Sequence, residues 1–193
     1  MARTITRLFD SYSQAQRSVE ALEKAGFSSS EVGLVSRYRD DNTLADTATG
    51  TTTGATAGAV VGGGTGLLAA LGIIAIPGIG PLVAAGVLAT TLVSAAGGSV
   101  VGGLIGVLTD YGVSEDDAHV YSEGVRRGSS LVTVKTDDAR ASQAEAVLNG
   151  FQPVDVGQRR KAYQSTGWSA YDPTAKGFTA EEIREERQRN LRR

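Results

Sequence analysis

The stretch Ser130-Leu-Val-Thr-Val-Lys135 is the strongest strand signal in this 193-residue chain, because apolar and β-branched residues follow one another without a break. Each of its flanks predicts a helix. Upstream, Ser114 to Gly128 begins with an N-cap serine and three acidic residues and ends with two arginines and a glycine. Downstream, Asp137 to Asn149 carries alanine, valine and leucine at three- and four-residue spacing. A closing strand is predicted from Gln152 to Val156.

The N-terminal part of the chain has a similar order of elements. Thr4 to Asp10 is predicted to be a strand, Ser11 to Gly26 a helix with its stop, and Glu31 to Ser36 a second strand. With one gap, Glu20-Ala-Leu-Glu-Lys-Ala-Gly-Phe27 matches Glu145-Ala-Val-Leu-Asn-Gly-Phe151. Two equivalent halves whose helices cover the same face of one sheet give the predicted fold, an α+β domain of ferredoxin-like type in two split halves.

A block without any Asp, Glu, Lys, Arg or His separates the two halves, from Thr47 to Thr109. Small residues recur in it at every fourth position, a spacing that leaves one helix face free of large side chains. These positions are predicted to pack helices closely and to drive oligomerisation. They are Gly50, Gly54, Gly58, Gly62 and Gly66, followed by Gly86, Thr90, Ser94, Gly98, Gly102 and Gly106.

The same block is predicted to fold as a glycine-zipper helical hairpin. Two prolines and two glycines between Ile76 and Pro81 forbid a continuous helix, so Gly50 to Ala75 and Leu82 to Leu108 become two arms, each about 40 Å long at 1.5 Å per residue. Such arms exceed the roughly 30 Å of a hydrocarbon core. The predicted tip consists of Pro77, Gly78, Gly80 and Pro81.

These features divide the chain into consecutive parts. Residues 1–38 form the first half of the domain, 39–49 a linker, 50–110 the hairpin with its tip at 76–81, 111–157 the second half, and 158–193 a polar tail. In the tail, Thr179-Ala-Glu-Glu182 is a capping box that predicts a charged helix to about Leu191. The tail's aromatic residues have no regular period, which predicts extended or disordered chain with a few anchoring contacts.

Few side chains in the sequence point to chemistry. The chain contains no cysteine and one histidine, His119, which excludes disulfides, thiolate nucleophiles and clusters of histidine or cysteine around a metal. His119 and Glu123 have four-residue spacing, and we predict a surface ion pair because no nucleophile or oxyanion-stabilising group lies nearby in the sequence. No catalytic residue is predicted, and the protein is expected not to be an enzyme.

Two further patterns are judged against their context. Gly64-Thr-Gly-Leu-Leu-Ala69 fits a dinucleotide fingerprint, but the acidic residue expected about twenty positions later is missing, since none occurs before Asp110. Asp40-Asp41 and Glu115-Asp116-Asp117 flank the hairpin and are predicted to cap helices rather than to collect a divalent cation. No cofactor or metal site is therefore predicted.

The charge distribution bears on partners and location. From Gln158 onward the chain has nine Lys or Arg against five Asp or Glu, whereas the whole chain has a net charge of -2. An acidic body with a basic tail lacks the contiguous basic face of a nucleic-acid binder. The N-terminus lacks a signal-peptide pattern. We expect a cytoplasmic domain, associated with the inner membrane through the hairpin.

Several residues outside the hairpin also resemble a known family. The chain is similar to the bacterial heat-induced general stress proteins, whose domain is called general stress protein 17M-like or YflT-like. The resemblance implies a stress-induced bacterial protein without established enzyme activity, and it carries over no functional residue. The matching residues are Leu8-Phe-Asp-Ser-Tyr12, Ala15, Val19, Leu22, Gly26-Phe27, Tyr111 to Gly128 and Leu131-Val-Thr-Val134.

Taken together, the sequence predicts a non-enzymatic stress-response protein that assembles with copies of itself through the glycine zipper, in association with a lipid bilayer. The moderate hydropathy of the arms and the acidic base of the hairpin weigh against insertion. One alternative is a soluble oligomeric scaffold whose hairpins bury one another. A second alternative is a domain that binds a small molecule or nucleotide.

Overall fold

The computed structural model describes residues 2–37, 72–76, 80–88 and 103–191. The protein is a mixed α/β structure built on one antiparallel sheet. Its strands are β1 (Ala2–Phe9), β2 (Val32–Ser36), β3 (Gly72–Ile76), β4 (Gly80–Ala85) and β5 (Ser130–Asp137). Its helices are α1 (Tyr12–Lys24), α2 (Gly103–Asp110), α3 (Glu115–Arg126), α4 (Asp138–Asn149), α5 (Val156–Gln164) and α6 (Ala180–Leu191).

Strand β5 is an inner strand of the sheet, as its sequence suggests. The sheet order is β1-β5-β2-β4-β3, and every neighbouring pair is antiparallel. β5 pairs with β1 from Ser130 opposite Phe9 to Asp137 opposite Ala2, and its other edge pairs with β2. Because β5 is antiparallel to both neighbours, β1 and β2 run parallel, and α1 provides the crossover that parallel strands require.

Side chains alternate between the two faces of the sheet, and helices cover both faces. Val132 and Val134 lie in the core beneath α1 and α4, which pack on the same face as predicted. Leu131 points to the opposite face, where α2 and α3 bury it together with Leu8. The sheet is therefore the middle layer of three.

The predicted helix boundaries agree with the capping contacts. The Ser11 hydroxyl accepts from the backbone N–H of Gln14 at the start of α1, Ser114 does the same for α3, and the Asp137 carboxylate for α4. Gly26 and Gly128, which follow α1 and α3, have φ angles of 90° and 94°, a left-handed conformation that favours glycine.

The predicted closing strand from Gln152 to Val156 is wrong. One contact of the expected kind forms, since the Val154 N–H donates to the Leu8 carbonyl at 2.8 Å along the outer edge of β1. Asp155 then accepts from the backbone N–H of Gln158 at 2.7 Å and starts α5. The helix cap thus takes the chain away from the sheet after a single hydrogen bond.

The predicted helical arms are wrong where they approach the tip. Gly72 to Ile76 pair with Ala84 to Gly80 as strands, and β4 pairs with β2, so this part of both arms lies in the sheet, while the paired ends Ile76 and Gly80 fall within the predicted tip at 76–81. The β-branched run of β3 and the Pro-Gly that follows it favour a β-hairpin, and the edge of β2 supplies hydrogen-bond partners. The predicted helix is confirmed farther along the second arm, in α2.

We expect Gly33→Ala to lower the free energy of unfolding by about 1–3 kcal/mol, the usual cost of overpacking a core. A Cβ atom on Gly33 would lie 2.7 Å from Leu88 Cγ, 2.9 Å from the Leu88 backbone nitrogen and 2.9 Å from Thr133 Oγ1. Urea denaturation measures the change. In the control Gly157→Ala, the new Cβ would lie 3.4 Å from Asp155 Oδ1, an ordinary van der Waals contact. This control should leave the free energy of unfolding unchanged or raise it by up to about 1 kcal/mol.

Candidate functional site

The predicted assembly residues are described only in part. Gly86 has a φ of 66°, forms a β-bridge with Gly33 and is the first of three helical residues, 86–88, whereas Gly106 lies within α2 and is half-buried. Gly80 and Pro81 belong to β4. The remaining predicted positions lie outside the described residues: Gly50, Gly54, Gly58, Gly62, Gly66, Pro77, Gly78, Thr90, Ser94, Gly98 and Gly102.

The C-terminal arm, residues 156–191, is more ordered than the sequence predicts. Residues 156–164 form α5 instead of extended chain, and the terminal helix α6 is confirmed. Its capping box is complete, because the Thr179 N–H donates to the Glu182 carboxylate at 2.7 Å and the Glu182 N–H donates to the Thr179 hydroxyl at 3.3 Å. Ile183 in α6 is fully buried and packs against Gly128, so the arm lies on the body of the protein.

A buried ion cluster holds the arm in place, formed by Glu123, Arg126, Arg127 and Glu186. Glu123 in α3 has no solvent exposure and binds Arg126 through two hydrogen bonds, of 2.6 and 2.8 Å. Its Oε1 also accepts from Arg127 Nε at 2.6 Å, and Arg127 Nη1 reaches Glu186 of α6 at 3.3 Å. One buried carboxylate therefore organises two guanidinium groups, and that of Arg127 forms an ion pair with the arm.

Aromatic rings of the arm complete the surroundings of both arginines. The Arg127 guanidinium lies 4.2 Å from the Tyr163 ring centroid and 5.2 Å from that of Phe178. The Arg126 guanidinium lies 5.1 Å from the Phe178 centroid, and its Nη1 donates to the Lys176 carbonyl at 3.1 Å. Cation–π contacts of this kind are strongest where water is excluded. The expected anchoring aromatics are thus found at Tyr163 and Phe178.

The ion cluster lies beside the end of β2. Arg37, the last described residue after β2, donates from Nη1 to the Arg126 carbonyl at 3.1 Å. The backbone of Gly177 passes so close to Arg37 that a Cβ there would lie 2.7 Å from both Nη atoms. The arm therefore packs against the end of β2.

Asp10 provides a second anchor for the arm, at the end of β1. Its Oδ2 accepts from Arg159 Nη2 of α5 at 2.7 Å, while its Oδ1 lies 3.4 Å from Asn190 Nδ2 of α6 and 3.4 Å from the Ser129 hydroxyl. Both helices of the arm are thus tied to one carboxylate that also contacts the segment leading into β5.

The predicted surface pair of His119 and Glu123 is wrong, because Glu123 is buried with the two arginines. His119 Nδ1 instead accepts a hydrogen bond from the backbone N–H of Tyr171 at 3.2 Å, a further contact of the arm. Asp117 lies in the first turn of α3, as expected of a capping residue, and binds Arg160 at 2.7 Å. Asp40-Asp41 lie outside the described residues.

This arrangement is suited to holding chain segments together. Within the described ranges, no group of three or more His, Asp or Glu side chains is placed to bind a metal ion. The described helices also do not combine the length and apolar character needed to cross a membrane.

Burial raises the pKa of the Tyr163 hydroxyl to about 12, with Arg159 and Arg127 opposing the shift.

Sequence reasoning missed the ion cluster. The signal was present in Glu123-Gly-Val-Arg126-Arg127, where two arginines lie three and four residues after a glutamate on one helix. The arginines alone also fit a helix C-terminus, and the partner Glu186 is fifty-nine residues away from Arg127. Only the folded arm shows that these charges are buried.

Comparison with known proteins finds no matching family model, no matching curated protein and no matching solved structure. What the protein does must therefore be inferred from its own residues and contacts.

We expect Glu123→Gln to lower the free energy of unfolding by about 3–5 kcal/mol, because it leaves two buried guanidinium groups without their carboxylate. Chemical denaturation measures the loss, and limited proteolysis should show earlier cleavage within the arm. The control Glu185→Gln lies on exposed α6 surface and should change stability by less than about 0.5 kcal/mol. Equal effects of the two substitutions would contradict the role given to the ion cluster.

Stability should fall between about pH 10 and pH 12. Burial raises the pKa of Tyr121, Tyr163 and Tyr171 to about 12 in the folded protein, against an ordinary value of 10. Folding therefore favours the neutral phenols, and this stabilisation is lost as the pH rises through the folded values, by up to about 2.7 kcal/mol for each tyrosine at 1.36 kcal/mol per pKa unit. Denaturation at pH 9 and pH 11, with phenolate absorbance, measures the change.

The variant Tyr163→Phe tests how much of the alkaline loss of stability comes from Tyr163. Because the neighbouring Arg159 keeps its hydrogen bond to Asp10, removal of the Tyr163 hydroxyl should cost little stability at neutral pH. At pH 11 the variant should lose less stability than the parent protein. An identical alkaline loss in both proteins would contradict the assignment.

Proposed function

We propose that this chain is a non-enzymatic protein that assembles with copies of itself through its charge-free block. The observation that carries the proposal is that the body anchors the block repeatedly. The chain enters it from β2, returns to the sheet in β3 and β4, and returns again at α2. Two segments of the block, up to residue 71 and from 89 to 102, thus start and end at the same body.

Both segments begin and end on the body of the protein. Leu88 and Leu104, which border residues 89–102, are both buried in the same core cluster. The segment before β3 must also come back to the sheet. Contact with a lipid surface is therefore the second location that we propose to test, after association between copies.

The composition of the block supports this function. Its glycine row, Gly50 to Gly66, falls within the first segment, and Ser94, Gly98 and Gly102 fall within the second. Small residues at this spacing allow helix backbones to approach closely. A charge-free block of this size would otherwise exceed the apolar patches that monomeric proteins expose.

We also keep two finer assignments as proposals. The parallel β1 and β2 on either side of β5, with α1 and α4 on one face, support a ferredoxin-like relationship. A role in the bacterial stress response, with the protein in the cytoplasm or at the inner membrane, rests on the resemblance to the general stress proteins described above.

The double substitution Gly58→Leu with Gly62→Leu should abolish assembly through the block, because two large side chains would keep the backbones apart. Light scattering after size-exclusion chromatography should show a shift from an oligomer towards the 19.9 kDa of one chain. Ala59→Leu, one position off the glycine row, is the matched control and should keep the oligomer. An unchanged mass for the double variant would refute the proposed role of the zipper.

Alkaline extraction of membranes, followed by flotation with vesicles, tests the location. Protein that assembles through its own copies should be released at high pH and should remain oligomeric without lipid. Retention with the membrane after extraction would instead favour the inserted hairpin and contradict assembly that needs no lipid.

A further inference from the structure

The two edges of the sheet are protected very differently. At the β1 edge, the Leu8 carbonyl is paired with Val154, and the Thr6 carbonyl accepts from the Tyr121 hydroxyl at 3.3 Å and from Arg7 Nη1 at 3.0 Å. Charged side chains and extra partners of this kind prevent edge strands from pairing with other chains. The other edge, β3, reads Gly-Ile-Ile-Ala-Ile and contains neither charge nor proline. Among the described residues it has a partner, β4, on one side only.

The hydrogen-bond alternation shows which residues of β3 face outward. In antiparallel sheets the backbone groups of successive residues point to opposite neighbours. The Lys135 N–H donates to the Glu31 carbonyl, so odd-numbered residues of β5 bond to the β2 side. By the same alternation Leu34 and Ser36 bond to odd-numbered residues of β4.

Even-numbered residues of β4 therefore bond to even-numbered residues of β3, such as Leu82 to Ile74. The N–H and C=O groups of Ile73 and Ala75 are left to point away from the sheet.

Pro81 supports this assignment independently. It lies opposite Ala75, and proline has no N–H to donate. Ala75 and Pro81 therefore form a non-hydrogen-bonded pair, in which Pro81 does not have to donate to β3. Both lines of reasoning place the free backbone groups of β3 at Ile73 and Ala75.

We propose that β3 pairs antiparallel with β3 of a second copy of this chain, about a two-fold axis at Ile74. In this register Ile73 lies opposite Ala75 of the second copy, and Ala75 opposite its Ile73, which satisfies all four outward groups. Such an interface is self-complementary, as two-fold symmetry requires. The absence of charge from the strand means that no like charges meet. The inference rests on the proposed self-assembly and names one of its interfaces.

A single cysteine tests the register, because the chain has none of its own. At the axis, residue 74 of each copy forms a non-hydrogen-bonded pair, whose Cα atoms lie about 4.5 Å apart in antiparallel sheets. This separation allows a disulfide. Ile74→Cys should therefore give a covalent dimer under mild oxidation, seen on a non-reducing gel and reversed by thiol.

Cysteines at the ends of the strand provide matched controls. Residue 76 lies opposite residue 72 of the second copy, so Ile76→Cys alone and Gly72→Cys alone should cross-link poorly. The two variants expressed together should form the covalent dimer. Equal cross-linking of Ile74→Cys and Ile76→Cys alone would overturn the register.

The failure of this inference can be distinguished from failure of the proposed function. If Ile74→Cys stays uncross-linked while the native mass remains oligomeric, pairing through β3 is refuted and assembly through the glycine row is unaffected. If Ile74→Cys cross-links equally well with Gly58→Leu and Gly62→Leu added, and these substitutions do not change the native mass, β3 pairing is supported and the zipper is refuted.

Discussion

The structure depends on satisfying the backbone hydrogen bonds of one inner strand, β5. β5 has neighbours on both edges, and a buried backbone N–H or C=O that lacks a partner costs free energy comparable to a lost hydrogen bond. Its partners β1 and β2 both lie near the N-terminus, whereas β5 begins at Ser130. The chain between β2 and β5 includes the charge-free block, and it must return to the sheet before β5 can pair. The organisation of the block as returning segments follows from this requirement.

A second constraint acts on the C-terminal arm. A buried carboxylate such as Glu123 is tolerated only with partners that offset its lost hydration, and here two arginines provide them. Because Arg127 also binds Glu186, docking of the arm is coupled to formation of the ion cluster. Hydrophobic residues of similar volume could stabilise the protein as well or better, so the cluster is best understood as fixing where the arm docks.

Much of the body could be predicted from local signals. The strands β1, β2 and β5 and the helices α1, α3, α4 and α6 have caps, stops and periodic patterns that agree with one another. Where local signals agree in this way, secondary structure can be predicted from the sequence. The predictions that failed were those in which two local signals competed, or in which the partner lies far away in the sequence.

The β-hairpin at Gly72 to Ala85 shows competition between signals. A short apolar run fits either a helix or a strand, while its isoleucine residues favour a strand, and the available edge of β2 decides the outcome. At Asp155 a helix cap prevails over a strand that the internal match predicted. Arg127 joins Glu123 to Glu186 only because the arm is docked, and no local sequence pattern predicts that docking.

The position of β5 has a consequence for the order of synthesis. A ribosome makes the charge-free block before it makes the strand that closes the sheet. At about 5–20 residues per second, the stretch from Thr109 to Asp137 takes roughly one to six seconds to appear. During that time the block has been translated but β1 and β2 lack their common neighbour. The nascent chain therefore carries its charge-free block for these seconds before the strand that completes the sheet is available.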